Sequence, residues 1–172
     1  VAALDFTTPS HVYNPLQYAW PAHHAYIARY GNRTGRVLLL GMNPGPWGMA
    51  QTGVPFGDGV LVREWLGIEA PLQPPLPEQH PRYPIRGFDC HRREGSGRRL
   101  WSWAQLRFGS AECFFKRFFV WNYCPLLFIS DGRNLTPEKL SRSEVDPLLT
   151  VCNRALSAVV ETLSPAAVIG VG

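Results

Sequence analysis

The sequence is poor in charge: Asp, Glu, Lys and Arg make up 17% of its 172 residues, against 45% hydrophobic ones. It lacks any apolar run near the roughly 18 residues of a bilayer-spanning helix, which excludes a helical membrane protein. The start, VAALDFTTPS, has no basic stretch ahead of an apolar one, so no secretory signal is read there. Its four cysteines, Cys90, Cys113, Cys124 and Cys152, form no C-x-x-C pair. A zinc or iron–sulfur site would need them to converge in space, and reduced thiols in an intracellular protein are the plainer reading. Without a secretion signal, the acceptor triplet Asn134-Leu135-Thr136 reads as accidental. No G-x-x-x-x-G-K-[ST] phosphate cradle is present. A dinucleotide fingerprint also fails, because Pro44 and Pro46 interrupt its spacing.

What is present suits one compact domain spanning residues 1–172. Basic residues outnumber acidic ones 17 to 13, a net charge of +4 that gives a weak vote for a polyanionic partner such as nucleic acid. Three apolar runs without alternation, Val37 to Leu40, Phe118 to Trp121 and Ala166 to Val171, read as strands buried on both faces. Helical patterns lie between them. Pro21 sits at the start of one that carries Ala22, Tyr26, Ile27 and Tyr30. Asp58 caps another with Leu61, Val62, Trp65 and Leu66, closed by Gly67. Ser96 is the expected cap of a third, with Leu100, Trp103 and Ala104. Asp146-Pro147 is the expected start of the last, with Leu149, Cys152, Leu156, Val159 and Leu163 on one face. Residues 71–86, with six prolines, read as a surface excursion. The alternation predicts an α/β domain with a largely parallel sheet.

Ligands of open parallel sheets bind beyond the carboxyl ends of the strands. Two strand ends deliver an asparagine there, Asn43 and Asn122. A neutral amide can read an uncharged polar ring or hold a water through its carbonyl oxygen, and it can equally cap a turn. The stretch GMNPGPWGMAQTGVPFG (residues 41–57) follows the first strand. Pro44 and Pro46 stiffen it, while Gly45 and Gly48 admit close approach to the main chain. The Phe56 ring either stacks on a flat base or anchors the loop in the core. Paired carboxylates for acid–base work are missing, Asp58 being the only acid close to the loop. Arg92, Arg93, Arg98 and Arg99 surround a helix start and either grip phosphates or form a solvated basic loop. Arginines near Trp101, Trp103 and Phe108 suggest stacking on single-stranded bases, although helical spacing of that kind also marks core. His23-His24 reads as a surface pair.

The stretch 41–57 resembles the first catalytic motif of the single-strand-selective monofunctional uracil-DNA glycosylases. YNPLQYAW, VREWLGI, EQHPRYP, FVWNYCPLLF, GRNLTP and VIGVG extend the resemblance over nearly the whole chain. It implies a three-layer α/β/α fold around a mostly parallel four-stranded sheet, with the last strand absent from a C-terminally truncated chain. The implied reaction is hydrolysis of the N-glycosidic bond of uracil after base flipping. Asn43 would hold the attacking water at C1′, Asn122 would read the Watson–Crick edge, and Phe56 would stack on the base. Main-chain groups around Met42 and Phe56 would bind uracil oxygens, and Gly45 would leave room at C5, as fits family activity on 5-hydroxymethyluracil. The family's His-Pro-Ser segment, with its histidine beside the uracil anion, has no counterpart here, since His80-Pro81 matches a different segment. Trp47 stands where the family suggests phenylalanine.

The expected partner is DNA carrying uracil or an oxidised pyrimidine, single- or double-stranded, acted on by a monomer with no cofactor, no metal and no membrane association. The expected setting is intracellular: the nucleus in a eukaryote, the cytoplasm in a bacterium. The alternative is a nucleic-acid-binding module that keeps the base pocket without turnover.

Overall fold

A computed structural model describes residues 4–172, so the first three residues of the VAALDFTTPS start lie outside the described residues. In chain order the elements are β1 (His11–Tyr13), α1 (Pro15–Tyr18), α2 (Trp20–Tyr30), β2 (Val37–Gly41), α3 (Met49–Thr52) and α4 (Gly59–Glu64). They continue with α5 (Gly95–Phe108), α6 (Ala111–Phe115), β3 (Phe118–Asn122), β4 (Leu127–Ser130), β5 (Arg133–Leu135), α7 (Arg142–Leu163) and β6 (Ala167–Gly170).

The three apolar runs form one parallel sheet in the order β3-β2-β6. Val37 pairs with Phe118 and Ala167, and the register carries Gly41 opposite Asn122. Parallel strands need crossovers, and helices supply them on both faces, which yields the three layers. On one face Phe119 stacks on Tyr26 of α2 at 5.3 Å, and with Trp121 it lines a groove shared with Ala158, Val159 and Leu163 of α7. On the other, Phe118 packs against Trp103, Phe108 and Phe114 of α5 and α6. Trp101, fully buried, lies at the centre of this core. At the sheet's end β6 pairs only with β2 among the described residues, leaving Val168 and Ile169 about half exposed.

A second sheet, antiparallel in the order β1-β4-β5, packs beside the first and was not expected. Two helix starts also differ from expectation. Glu94 rather than Ser96 caps α5, its carboxylate accepting from Ser96 N–H at 3.3 Å. The last helix begins at Arg142 instead of at Asp146-Pro147, because Ser141 and Glu144 form a capping box one turn earlier. Pro147 is then carried inside α7, in its second turn, where it forgoes one i→i−4 hydrogen bond. Asp58 does cap α4, accepting from Leu61 N–H at 3.2 Å. His23 is buried rather than on the surface; its Nδ1–H donates to the Gly53 carbonyl at 2.7 Å, and burial lowers its pKa.

Candidate active site

A cavity of about 580 Å³ opens beyond the carboxyl ends of β2 and β3. Met42, Asn43, Gly45, Phe56 and Asn122 all line it, so the residues singled out from the strand ends and the loop converge. Arg99 reaches its rim.

Asn43 is oriented by its amide nitrogen. Nδ2 donates to the carbonyls of Leu126 and Leu135, each at 3.2 Å. Both acceptors belong to the antiparallel unit, one just before β4 and one on β5. That unit therefore fixes which way the amide faces, and it leaves Oδ1 free to accept from a water. Asn122 is buried at the end of β3, with Nδ2 directed at the Met49 sulfur at 3.3 Å. Gly41 on the neighbouring strand makes room for it. A Cβ there would stand 2.5 Å from both Asn122 Oδ1 and the Phe56 ring, so only glycine lets amide and ring meet over the strand end.

Phe56 answers both readings of its role. Its ring lines the cavity while packing against the main core, and its backbone holds a left-handed φ of 55° that costs a non-glycine residue energy. The carbonyl of Phe56 accepts from Trp101 Nε1–H at 2.9 Å and from Asp58 N–H at 2.8 Å. The Met42 carbonyl likewise accepts from Cys124 N–H at 2.8 Å. Those carbonyls are committed to the protein. A ligand meeting the main chain here finds N–H donors, which suit acceptor oxygens such as those of uracil.

Asp58 is not the acid of the cavity. It is fully buried and held by Arg93, Nε to Oδ2 and Nη2 to Oδ1, both at 2.7 Å. Arg93 is thus engaged in tying the loop to the start of α5. The acid that lines the cavity is Glu94, which the sequence reading passed over. Its carboxylate lies over Gly45 and Gly48; a Cβ on Gly45 would meet Glu94 Oε2 at 2.5 Å. The space left open by Gly45 is therefore occupied in part by Glu94, whose pKa burial pushes up. Asn134, Thr136, Leu100 and the half-exposed Trp103 complete the walls. Arg98 is exposed on α5, and Arg92 lies outside the cavity with its guanidinium over the Trp47 ring.

The cysteines do not meet. That is true of the four as a set: Cys124 and Cys152 are free thiols in one buried cluster, where a hydrogen bond to Cys152 and burial push the Cys124 thiol up, while Cys113 is exposed. Among the described residues no group of three or more His, Cys, Asp or Glu could hold a metal ion, and no helix is long and apolar enough to cross a membrane.

Comparison with known proteins follows the same lines. The family model described as the uracil DNA glycosylase superfamily matches residues 28–172. The chain is 48% identical over 162 residues to the single-strand selective monofunctional uracil DNA glycosylase of Bos taurus, covering 94% of this chain and 59% of that protein. It is 46% identical over 174 residues to the Mus musculus protein of the same name, covering 100% of this chain and 62% of that one. The chain thus spans 59–62% of the length of these curated relatives. Among solved structures, wild-type Pedobacter heparinus SMUG2 superposes with a TM-score of 0.54 at 18% identity, over 99% of this chain and 82% of that one, a likeness of fold alone.

Proposed function

Because the chain belongs to the uracil DNA glycosylase superfamily, we propose that it is a monofunctional DNA repair glycosylase. In this reading it hydrolyses the N-glycosidic bond of uracil, and of 5-hydroxymethyluracil, and leaves an abasic site. The observation that carries the proposal is the orientation of Asn43: both hydrogens of its amide are spent on Leu126 and Leu135, so its oxygen faces the cavity as an acceptor.

The base must first leave its stack, at a cost that is smallest in single strands. Flipped into the cavity, it lies against the Phe56 ring with its Watson–Crick edge toward Asn122. The free N–H groups of Met42 and Phe56 meet its oxygens. Asn43 Oδ1 holds a water for C1′. An amide orients water but scarcely deprotonates it, so bond breaking runs ahead of attack, and donors aimed at the departing uracil anion supply much of the acceleration. The one acid in the cavity wall, Glu94, has its pKa pushed up by burial, which eases its conflict with a departing anion. Asn43, Asn122 and main-chain N–H groups place no fixed negative charge against the leaving base.

The proposed partner is DNA, with a single strand as the preferred form and oxidised pyrimidines within range. The protein acts as a monomer in the compartment that holds the DNA, the nucleus of a eukaryote or the cytoplasm of a bacterium. The direct test is release of free uracil from a uracil-containing single-stranded oligonucleotide under single-turnover conditions with this 172-residue chain. Release that disappears in Asn43→Ala, with strand binding retained, supports the reading. Strand binding without release points to a binding module.

A further inference from the structure

We propose a second nucleic-acid subsite, a cationic aromatic cleft that takes an unpaired nucleotide neighbouring the flipped base and so favours single strands over duplex. The inference rests on the glycosylase reading for its location in the DNA path, and on separate residues for its chemistry.

The cleft has a volume of about 570 Å³ and is lined by Trp47, Tyr83, Arg82, Arg86, His91 and Arg92 among others, with no carboxylate in its walls. None of the three arginines forms an ion pair among the described residues. Arg86 also borders a neighbouring cleft with Glu69 and Asp89, so Arg82 and Arg92 are the freer cations. Unpaired guanidinium groups gathered around an open cleft repel one another, and a phosphate relieves that repulsion. The Trp47 ring is partly exposed and stands 5.4 Å from Tyr83, and the Arg92 guanidinium lies 4.7 Å from its centroid. A guanidinium on an indole face marks a surface that a flat π-system can take over.

The walls are built in advance. Gln51, buried on α3, donates through Nε2 to the carbonyls of Pro46 at 2.9 Å and Pro84 at 3.0 Å. Its Oε1 accepts from Arg86 N–H at 2.8 Å. One side chain thus clamps the catalytic loop to the proline-rich segment on the opposite rim. Tyr83 is fixed as well, its hydroxyl donating to the Gly132 carbonyl at 2.7 Å and its carbonyl accepting from Tyr13 at 2.9 Å. Rigid walls spare the ligand an ordering cost.

The position relative to the base cavity sets the occupant. Gly45 lines the cavity and Trp47 lines the cleft, two residues apart, which is at most about 7 Å of chain. Glu94 and Arg92 divide between the two in the same way. A strand whose uracil enters the cavity therefore passes its neighbour over the Trp47 ring, with phosphates toward Arg82 and Arg92. In a duplex that neighbour is paired and stacked on both sides, and it reaches Trp47 only by breaking those contacts.

Oligothymidylate and a uracil-free hairpin duplex test the proposal by fluorescence-anisotropy titration, without any requirement for turnover. Trp47→Ala is expected to weaken oligothymidylate binding roughly 5- to 100-fold, from the worth of one aromatic–base stack. Hairpin affinity should stay nearly unchanged, and Trp47→Phe should restore most of the loss. The double variant Arg82→Ser/Arg92→Ser should lower the slope of log affinity against log salt by about 1.4, two phosphates at about 0.7 each. Unchanged oligothymidylate affinity in Trp47→Ala, equal losses on strand and hairpin, or an unchanged slope in the arginine variant overturns the proposal. Trp47-dependent strand binding without uracil release would sustain the cleft while sinking the glycosylase reading. Uracil release by a protein whose strand affinity ignores Trp47 would do the reverse.

Discussion

Replacing Asn43 by aspartate separates two accounts of what this residue does. If it acts as a weak base, a carboxylate, far stronger as a base, should raise the rate. The geometry argues otherwise. Both hydrogen bonds that aim the side chain run from Nδ2 to carbonyl oxygens, those of Leu126 and Leu135 at 3.2 Å. An ionised aspartate has no hydrogen to give them and would set oxygen against oxygen twice. Losing two such bonds removes about 2 kcal/mol, and the lone-pair repulsion makes about 3–4 kcal/mol a reasonable total. At about 1.4 kcal/mol per decade the water-holding orientation is lost by a factor of roughly 100–1000. A protonated aspartate keeps one donor and restores one of the two bonds. Asn43→Asp is therefore expected to release uracil some hundredfold or more slowly than the parent at neutral pH, and to recover in part as pH falls. Single-turnover release from a single-stranded oligonucleotide across pH 5–8 (roughly the span over which a perturbed carboxyl titrates) reads both effects, with thermal unfolding as the check on folding. A variant as fast as the parent, or one that gains rate as pH rises, would refute the orientation argument.

Phe56→Ala should raise the substrate concentration needed for half-maximal release more than it lowers the saturated rate, read from a rate-against-concentration curve; an unchanged rate at low substrate would leave Phe56 as core alone. Glu94→Gln keeps the shape over Gly45 while removing ionisation, so it should match the parent at low pH and equal or exceed it above the raised pKa of Glu94, where a carboxylate would oppose the leaving anion; a tenfold loss at high pH would assign the carboxylate a positive role. Asp58→Ala strips the α4 cap and the Arg93 pair from a fully buried site and should cost about 2 kcal/mol or more by chemical denaturation. His23 has a lowered pKa in the fold, so the unfolded chain binds the extra proton below about pH 6.5 and stability falls with pH through that window; a pH series of unfolding curves should show this slope in the parent and a flatter one in His23→Gln.

The parts legible in the sequence are those whose cause is local. Val37 to Leu40 and Phe118 to Trp121 announce themselves because strands covered on both faces need unbroken apolar runs. Asp58 as a cap, and two amides at strand ends, follow from residue type and position. What escaped was set at long range. The strand β1 pairs with β4, more than 110 residues away, through three residues on each side with no periodic signal of their own. Glu94 reads as one acid among arginines, and only the loop folded over it makes it a wall of the cavity. His23 looked like half of an exposed pair, yet the helix face it shares with Ala22, Tyr26 and Tyr30 is the buried one.

These misses bear on the chemistry. The amide proposed to hold the water was legible in the sequence, but the groups that aim it lie 83 and 92 residues further along, on the antiparallel unit. The parallel sheet brings Gly41 and Asn122 to adjacent strand ends, and the second sheet holds the Asn43 amide at the same cavity. A site divided in this way depends on how the two sheets are docked as much as on either sheet. One packing surface of the antiparallel sheet is a small buried cluster of Tyr13, Tyr18, Ala50, Leu127 and Ile129, which joins β1 and β4 to α1 and α3, with Tyr18 donating to the Ala50 carbonyl at 2.6 Å. Slippage there by a fraction of an ångström would leave the fold intact and move Leu126 and Leu135 off the amide, since hydrogen bonds already at 3.2 Å have little length to spare. Activity should thus be lost before stability when this cluster is loosened, as in Ile129→Val, read by uracil release against a denaturation curve of the same protein.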